Sequence, residues 1–171
     1  TTDAYIKKLA KAGVSTAEEM IGHYPRTYEN RTNILEHFSF VNIKEKNSVI
    51  AVIESIAQER TRNGKQLIKA ILRDKSDFLC EAVWFNRQFL LRQYHSGDKV
   101  VIFGQPKYDY GKLSFLSPDI DFYNDKSARF EPIYPELNYI PSSWFVSKMP
   151  LLKGYFKTIP NTLPEEIRAQ K

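Results

Sequence analysis

Apolar positions recur with two different periods along this chain, and the change of period divides it. At the start the spacing is helical: Ile6, Leu9, Ala10 and Gly13 fall at i, i+3, i+4 and i+7, and a second apolar set, Met20, Ile21 and Tyr24, follows. Gly13 is placed to cap the first helix, and Ser15 with Glu18 reads as a capping box for the second. Residues 3–24 therefore predict a helical hairpin closed by a Gly-Val-Ser turn. It lacks the Gly-x-Gly turn that lets main-chain N–H groups approach a phosphate, so packing is its expected role. Pro25 ends the second helix, and His23 to Arg31 crowds Tyr24, Arg26, Tyr28 and Arg31 into a turn that reads as a helix exit pinned by tyrosine packing and an Arg–Glu pair. Between Thr32 and Asn47 the signal is mixed and no element is placed.

From Ser48 to Tyr123 the period is that of strands. Val49, Ala51 and Ile53 alternate with Ile50, Val52 and Glu54 in a first strand; Asn63-Gly64 marks a turn; and a second strand runs from Gln66 to Arg73 with Ile68, Ala70 and Leu72 on one face and Lys69 and Arg73 on the other. The third strand covers Phe78 to Phe85. There Phe78, Cys80, Ala82 and Trp84 make an uncharged row, while Glu81 shares its parity with Phe85, so a regular strand buries Trp84 and leaves Phe85 outside. A bulge at Asn86 is the alternative, and it brings both rings into the core or turns both outward. Arg87 to Tyr94 predicts a short helix with Phe89, Leu90, Leu91 and Tyr94 on its apolar side. A fourth strand, Lys99 to Lys107, and a fifth, Leu113 to about Tyr123, follow. Three strands, a helix and two strands is the order of the OB-fold, a five-stranded Greek-key barrel.

After Tyr123 a polar run, Asn124 to Arg129, leads to the extended Phe130–Pro135 and to a short helix capped by Ser142 or Ser143 and broken at Pro150. Helical segments interrupted by Pro160 and Pro164 complete the chain. The predicted fold class is mainly β with flanking helices. Its expected domains are a hairpin and turn at 1–31, a barrel at 32–123 and an extended and helical connector at 124–171.

Composition narrows the function. Lys and Arg number 25 against 20 Asp and Glu, a net charge of +5 that permits a polyanionic partner, and ten Tyr and eleven Phe are interleaved with those cations as base stacking requires. One cysteine, Cys80, excludes an internal disulfide and makes cytosolic residence the default. No stretch has the length of an apolar membrane span, so no membrane partner is expected. The chain starts at Thr1 without methionine and stops in a helix-like run at Gln170-Lys171, which leads to the expectation of a piece of a larger protein.

Catalytic chemistry finds no support. Gly64-Lys65 has neither the upstream glycine nor the following Ser or Thr of a phosphate-binding loop, and His23, His37 and His95 lack metal-ligand spacing. Asp119 and Asp121 have no further ligands beside them in sequence. No catalytic residue, metal or cofactor is therefore assigned to this chain. A binding surface remains. Its candidate backbone contacts are Arg60, Arg62 and Lys65 at one hairpin tip, Lys107 and Lys112 at another, and Arg87; Trp84 and Phe85 are the candidate stacking rings, with Tyr108 and Tyr110 as groove aromatics. Two other readings stay open: an adaptor that anchors a protein or peptide on the Trp84-Phe85 and Tyr108-Tyr110 surface, and a general single-stranded DNA binder.

Several stretches together resemble the wedge domain of the RecG family of ATP-dependent DNA helicases. They are Tyr24-Pro25-Arg26-Thr27-Tyr28-Glu29-Asn30-Arg31, Val83-Trp84-Phe85-Asn86, Gly97 to Gly104, Pro132-Ile133-Tyr134-Pro135 and Leu163 to Arg168, in the family's order over nearly the whole chain. Asn30 departs from the family's usual Asp. The resemblance implies a barrel at the branch point of a fork or Holliday junction, in DNA repair and recombination, with Trp84 and Phe85 stacking on the opened base pairs as the strands split. It further implies helicase motor domains in the same full-length chain, ATP and Mg bound by those motors, and a single-stranded-DNA-binding protein as a partner.

Overall fold

A computed structural model describes residues 2–61, 64–109 and 111–155. The chain divides into two units: Thr1–Glu29 together with Glu131–Lys171, and Asn30–Phe130. This corrects the three-part division expected from sequence, because the N-terminal hairpin and the C-terminal segment share one core. That core gathers Leu9 and Met20 from the hairpin with Ile140 and Phe145 from the C-terminal part. Residues 124–130, expected in the connector, belong with the barrel.

In the first unit, α1 (Thr2–Lys11) ends where Gly13 takes a φ of +79°, which glycine adopts without steric cost. The capping box of α2 (Ala17–Ile21) lies one residue later than predicted. Thr16 Oγ1 accepts from Glu19 N at 3.2 Å, and Glu19 Oε2 accepts from both Thr16 N and Ser15 N, at 3.0 and 2.7 Å. These two main-chain donors, Ser15 N first, hold the Glu19 carboxyl below its ordinary range. Two strands, β1 (Thr27–Asn30) and β10 (Phe130–Ile133), pair with each other, and α4 (Ser142–Lys148) follows. Ser142 does not cap that helix; its hydroxyl accepts from Tyr134 N at 2.9 Å. His23 packs at a tilt against Phe145, 4.4 Å between ring centres, with its Nε2 3.0 Å from the Pro135 carbonyl.

The second unit is the barrel. A short β2 (Ile34–Leu35) runs parallel to the start of β3 (Asn47–Arg60), which is antiparallel to β4 (Gln66–Arg73), itself antiparallel to β5 (Leu79–Phe85). The helix after β5 is only α3 (Leu90–Gln93), shorter than the predicted 87–94. The chain then forms β6 (Lys99–Gly104), β7 (Pro106–Asp109), β8 (Lys112–Leu116) and β9 (Asp119–Phe122). The order across the sheet is β7-β8-β5-β4-β3-β6-β9.

Two predicted strands are thus each broken in two. The fourth bends at Gln105, before Pro106; the fifth bends at Ser117, whose φ is +49°, before Pro118. Proline cannot donate to a ladder, so strands change partners there. β6 and β9 pair with each other and β6 with β3, whereas β7 pairs with β8, which runs parallel to β5. Through these two bent strands the sheet closes as in an OB-fold. The bends press on one another: a Cβ added to Gly104 would lie 3.1 Å from Cβ of Pro118.

Inside are Val49, Ile53, Ile68, Leu72, Ala82, Trp84 and Phe115. Two polar anchors close the ends. Tyr94 is buried and donates its hydroxyl to the Ile120 carbonyl at 2.9 Å. Asp74, also buried, accepts from Phe38 N, Ser76 N and Phe78 N at 2.6, 2.7 and 3.0 Å, and so ties residues 38, 76 and 78 to the end of β4.

Candidate nucleic-acid interface

Parity decides what β5 offers to a ligand. Cys80, Ala82 and Trp84 point into the barrel, and Leu79, Glu81, Val83 and Phe85 point out. Trp84 is 0% exposed, and its indole N–H donates to the Pro118 carbonyl at 2.6 Å. A ring enclosed in this way has no face for a base, so the stacking role expected of Trp84 is corrected: it is a core residue. Phe85 is 42% exposed. The bulge alternative is not realised: β5 pairs with β4 in unbroken register through Phe85, and Asn86, with a φ of +55°, follows the end of the strand. That left-handed residue turns the chain out of the sheet just past the exposed ring.

The same turn explains a residue that sequence reasoning placed on the wrong side. Phe89, assigned to the apolar face of a longer helix, precedes α3 and is 55% exposed. Leu90 and Tyr94 are buried in the core, and Leu91 packs against it half-buried. The only signal in sequence is the Asn-Arg-Gln run that separates Phe89 from Phe85.

Strand register assembles the rest. Phe85 pairs with Leu67, and Gln66 with Arg60, so the tip of the β3–β4 hairpin lies at the Phe85 end of β5. Lys65, Gln66, Phe85 and Asn86 line one surface groove of about 330 Å³. Arg60 and Lys65 are exposed and Arg87 is half-buried. Gly64 has the positive φ expected of the turn, +76°, while Arg62 lies outside the described residues.

The second tip is elsewhere. β8 runs parallel to β5 with Ser114 opposite Glu81, and Lys112 Nζ lies 3.9 Å from Glu81 Oε1. Phe85 is four positions beyond Glu81, about 13 Å along a strand. The two tips therefore do not flank the ring together, as the sequence suggested. Tyr108 is exposed on β7, and Tyr110 lies outside the described residues. Lys107 lines a different groove, of about 420 Å³, with Lys46, Gly104 and Ser117.

The two aspartates considered as metal ligands each hold an arginine. Asp119 accepts from Arg31 at 2.8 Å and Asp121 from Arg129 at 3.0 Å, and the Arg31 guanidinium lies 4.0 Å over the Phe103 ring. Arg31 is thus engaged by the barrel, through an aspartate 88 positions along the chain. Asn30, in the family's Asp position, accepts from Thr32 N and Thr32 Oγ1.

The family model described as the RecG wedge domain matches residues 2–143. The chain belongs to the RecG wedge domain family. Among solved structures, RecG bound to a three-way DNA junction superposes with a TM-score of 0.70 at 23% identity, over 99% of this chain and 24% of that one. The wedge domain described here thus spans about a quarter of that RecG chain. The second OB-fold domain of replication protein A from Methanococcus maripaludis gives a TM-score of 0.40 at 16% identity, over 54% of this chain and 97% of that one. The mitochondrial single-stranded DNA binding protein Rim1 of S. cerevisiae gives 0.40 at 19%, over 47% and 96%. A search of curated proteins finds no match. No helix among the described residues of the wedge domain is long and apolar enough to cross a membrane.

Proposed function

We propose that this wedge domain is the branched-DNA-binding module of a RecG-like ATP-dependent helicase in DNA repair and recombination, and that it splits strands at a fork or Holliday junction. The observation that carries the reading is the corner at the end of β5. Phe85 is exposed there beside Lys65, on a strand end held in place by the buried Trp84 and its hydrogen bond to Pro118. A ring presented on a rigid strand end replaces the stacking lost by an opened base pair, while Lys65, Arg60 and Arg87 meet the phosphates. Phe89, exposed on the same turn, offers a second ring. The RecG structure on a three-way DNA junction supports the reading by family membership. On this reading ATP and Mg belong to motor domains of the full-length protein, a single-stranded-DNA-binding protein is a further partner, and the setting is the bacterial cytoplasm.

The test is a titration of the chain against a model fork, linear duplex and single strand at two salt concentrations. The fork is bound most tightly, and log K falls with log salt by about 0.7 to 0.9 for each phosphate neutralised. Phe85→Ala weakens fork binding by about 5- to 150-fold, the equivalent of one stacked base at about 1–3 kcal/mol, and leaves duplex binding unchanged. Equal affinity for fork and duplex, or binding indifferent to salt, overturns the proposal.

A further inference from the structure

The outward row of β5 holds a second message besides Phe85. OB-folds take oligonucleotides on the outer face of their second and third strands, which here are β4 and β5. Much of that face suits an extended single strand: Leu79 and Phe85 on β5 and Leu116 on neighbouring β8 are exposed apolar surface, with Lys69 and Lys112 as cations among them. At its centre, however, stands a carboxylate. Glu81 Oε1 lies 3.2 Å from Lys69 Nζ and 3.9 Å from Lys112 Nζ, so one acidic group holds the lysines of the strand on either side. A phosphate placed here meets cations already engaged and an anion between them.

We propose that Glu81 is a specificity-determining residue that keeps the β4–β5–β8 face from holding an extended single strand and so confines DNA to the Phe85 corner. This rests on the DNA-binding reading above and adds to it which substrate is refused. The position is well suited to the task. Glu81 is on the same face as Phe85 and about 13 Å from it, so a strand leaving the ring along β5 runs onto the carboxylate. The alternation of β5 means that no buried residue is involved, and replacement by Gln keeps the shape while removing the charge.

Binding of the 171-residue chain to a single-stranded oligonucleotide, a fork and a duplex, each at two salt concentrations, tests this with Glu81→Gln beside the wild type. Glu81→Gln binds the single strand about five- to tenfold more tightly at low salt, since two lysines exchange a carboxylate for phosphates. Its log–log salt slope steepens by about 0.7 for each phosphate newly neutralised, up to about 1.4. The fork gains less, so the fork-to-single-strand ratio falls. Adding Lys69→Gln to Glu81→Gln removes a large part of the gain. A Glu81→Gln chain no tighter on single strand than the wild type, or a proportional gain on all three DNAs, overturns this inference and leaves the proposed function standing if the wild type still prefers the fork. A wild type without fork preference overturns the proposed function, and the role of Glu81 falls with it.

Discussion

Trp84 and Phe85 are adjacent aromatic residues with opposite tasks, and replacing each by alanine separates stability from binding. Trp84 is wholly enclosed, so Trp84→Ala removes its transfer free energy and leaves a cavity, together about 3–5 kcal/mol. It also takes the donor from the Pro118 carbonyl, a further loss of about 1 kcal/mol. The sum, about 4–6 kcal/mol, is a large part of the 5–15 kcal/mol that holds a typical domain together. For a unit of this size each kcal/mol shifts Tm by about 4–8 °C, so the melting temperature falls by about 15–50 °C. Phe85 loses only the buried part of its ring, and Phe85→Ala costs about 1 kcal/mol and a few degrees. Trp84→Phe falls between them: the ring volume is largely kept and the N–H is lost, for about 2 kcal/mol. Far-ultraviolet circular dichroism melts, run on all three variants, read these differences. Fork binding measured well below each melting temperature then follows the other residue, with Phe85→Ala weak and Trp84→Phe close to wild type. A Trp84→Ala chain that melts within a few degrees of wild type, or a Phe85→Ala chain that loses as much stability as Trp84→Ala, refutes the division.

Asp74→Ala leaves three main-chain N–H groups near a buried site without their acceptor and destabilises the barrel by about 3 kcal/mol, with faster hydrogen exchange at Phe38, Ser76 and Phe78; unchanged exchange at those amides refutes it. The Cys80 thiol is pushed up to about 12, first by burial and then by the carboxylates of Glu81 and Asp74. At pH 8 it is therefore a buried thiol with almost no thiolate, and a thiol reagent labels it only as fast as the barrel opens; rapid labelling of the native protein in the absence of denaturant contradicts this.

Which parts of this arrangement can be read from sequence follows from how far apart the deciding residues are. The second strand was legible because its alternation and its Asn-Gly turn are local; for Trp84-Phe85 the row shared by Glu81 and Phe85 marks the outer face, but the expectation of a bulge at Asn86 and of stacking by both rings kept Trp84 among the site residues until the fold enclosed it. The capping box was misplaced by one residue because Ser15-x-x-Glu18 and Thr16-x-x-Glu19 satisfy the same pattern, and only the folded geometry of Glu19, reaching Ser15 N and Thr16 N together, distinguishes them. The breaks at Gln105 and Ser117 were missed for a different reason. Pro106 and Pro118 stand at both breaks in the sequence, but which strand each half pairs with, β3 then β8 for the fourth and β5 then β6 for the fifth, is settled only between residues far apart in the chain. Partner choice also governs the site. In sequence the two basic tips look equivalent, each a glycine turn set among lysines. Register sends the first to Phe85 and the second to Glu81, so that Lys65 borders the exposed ring while Lys112 faces a carboxylate. Two similar basic tips therefore border different neighbours, one an exposed ring and the other a carboxylate, a distinction carried by strand pairing rather than by composition.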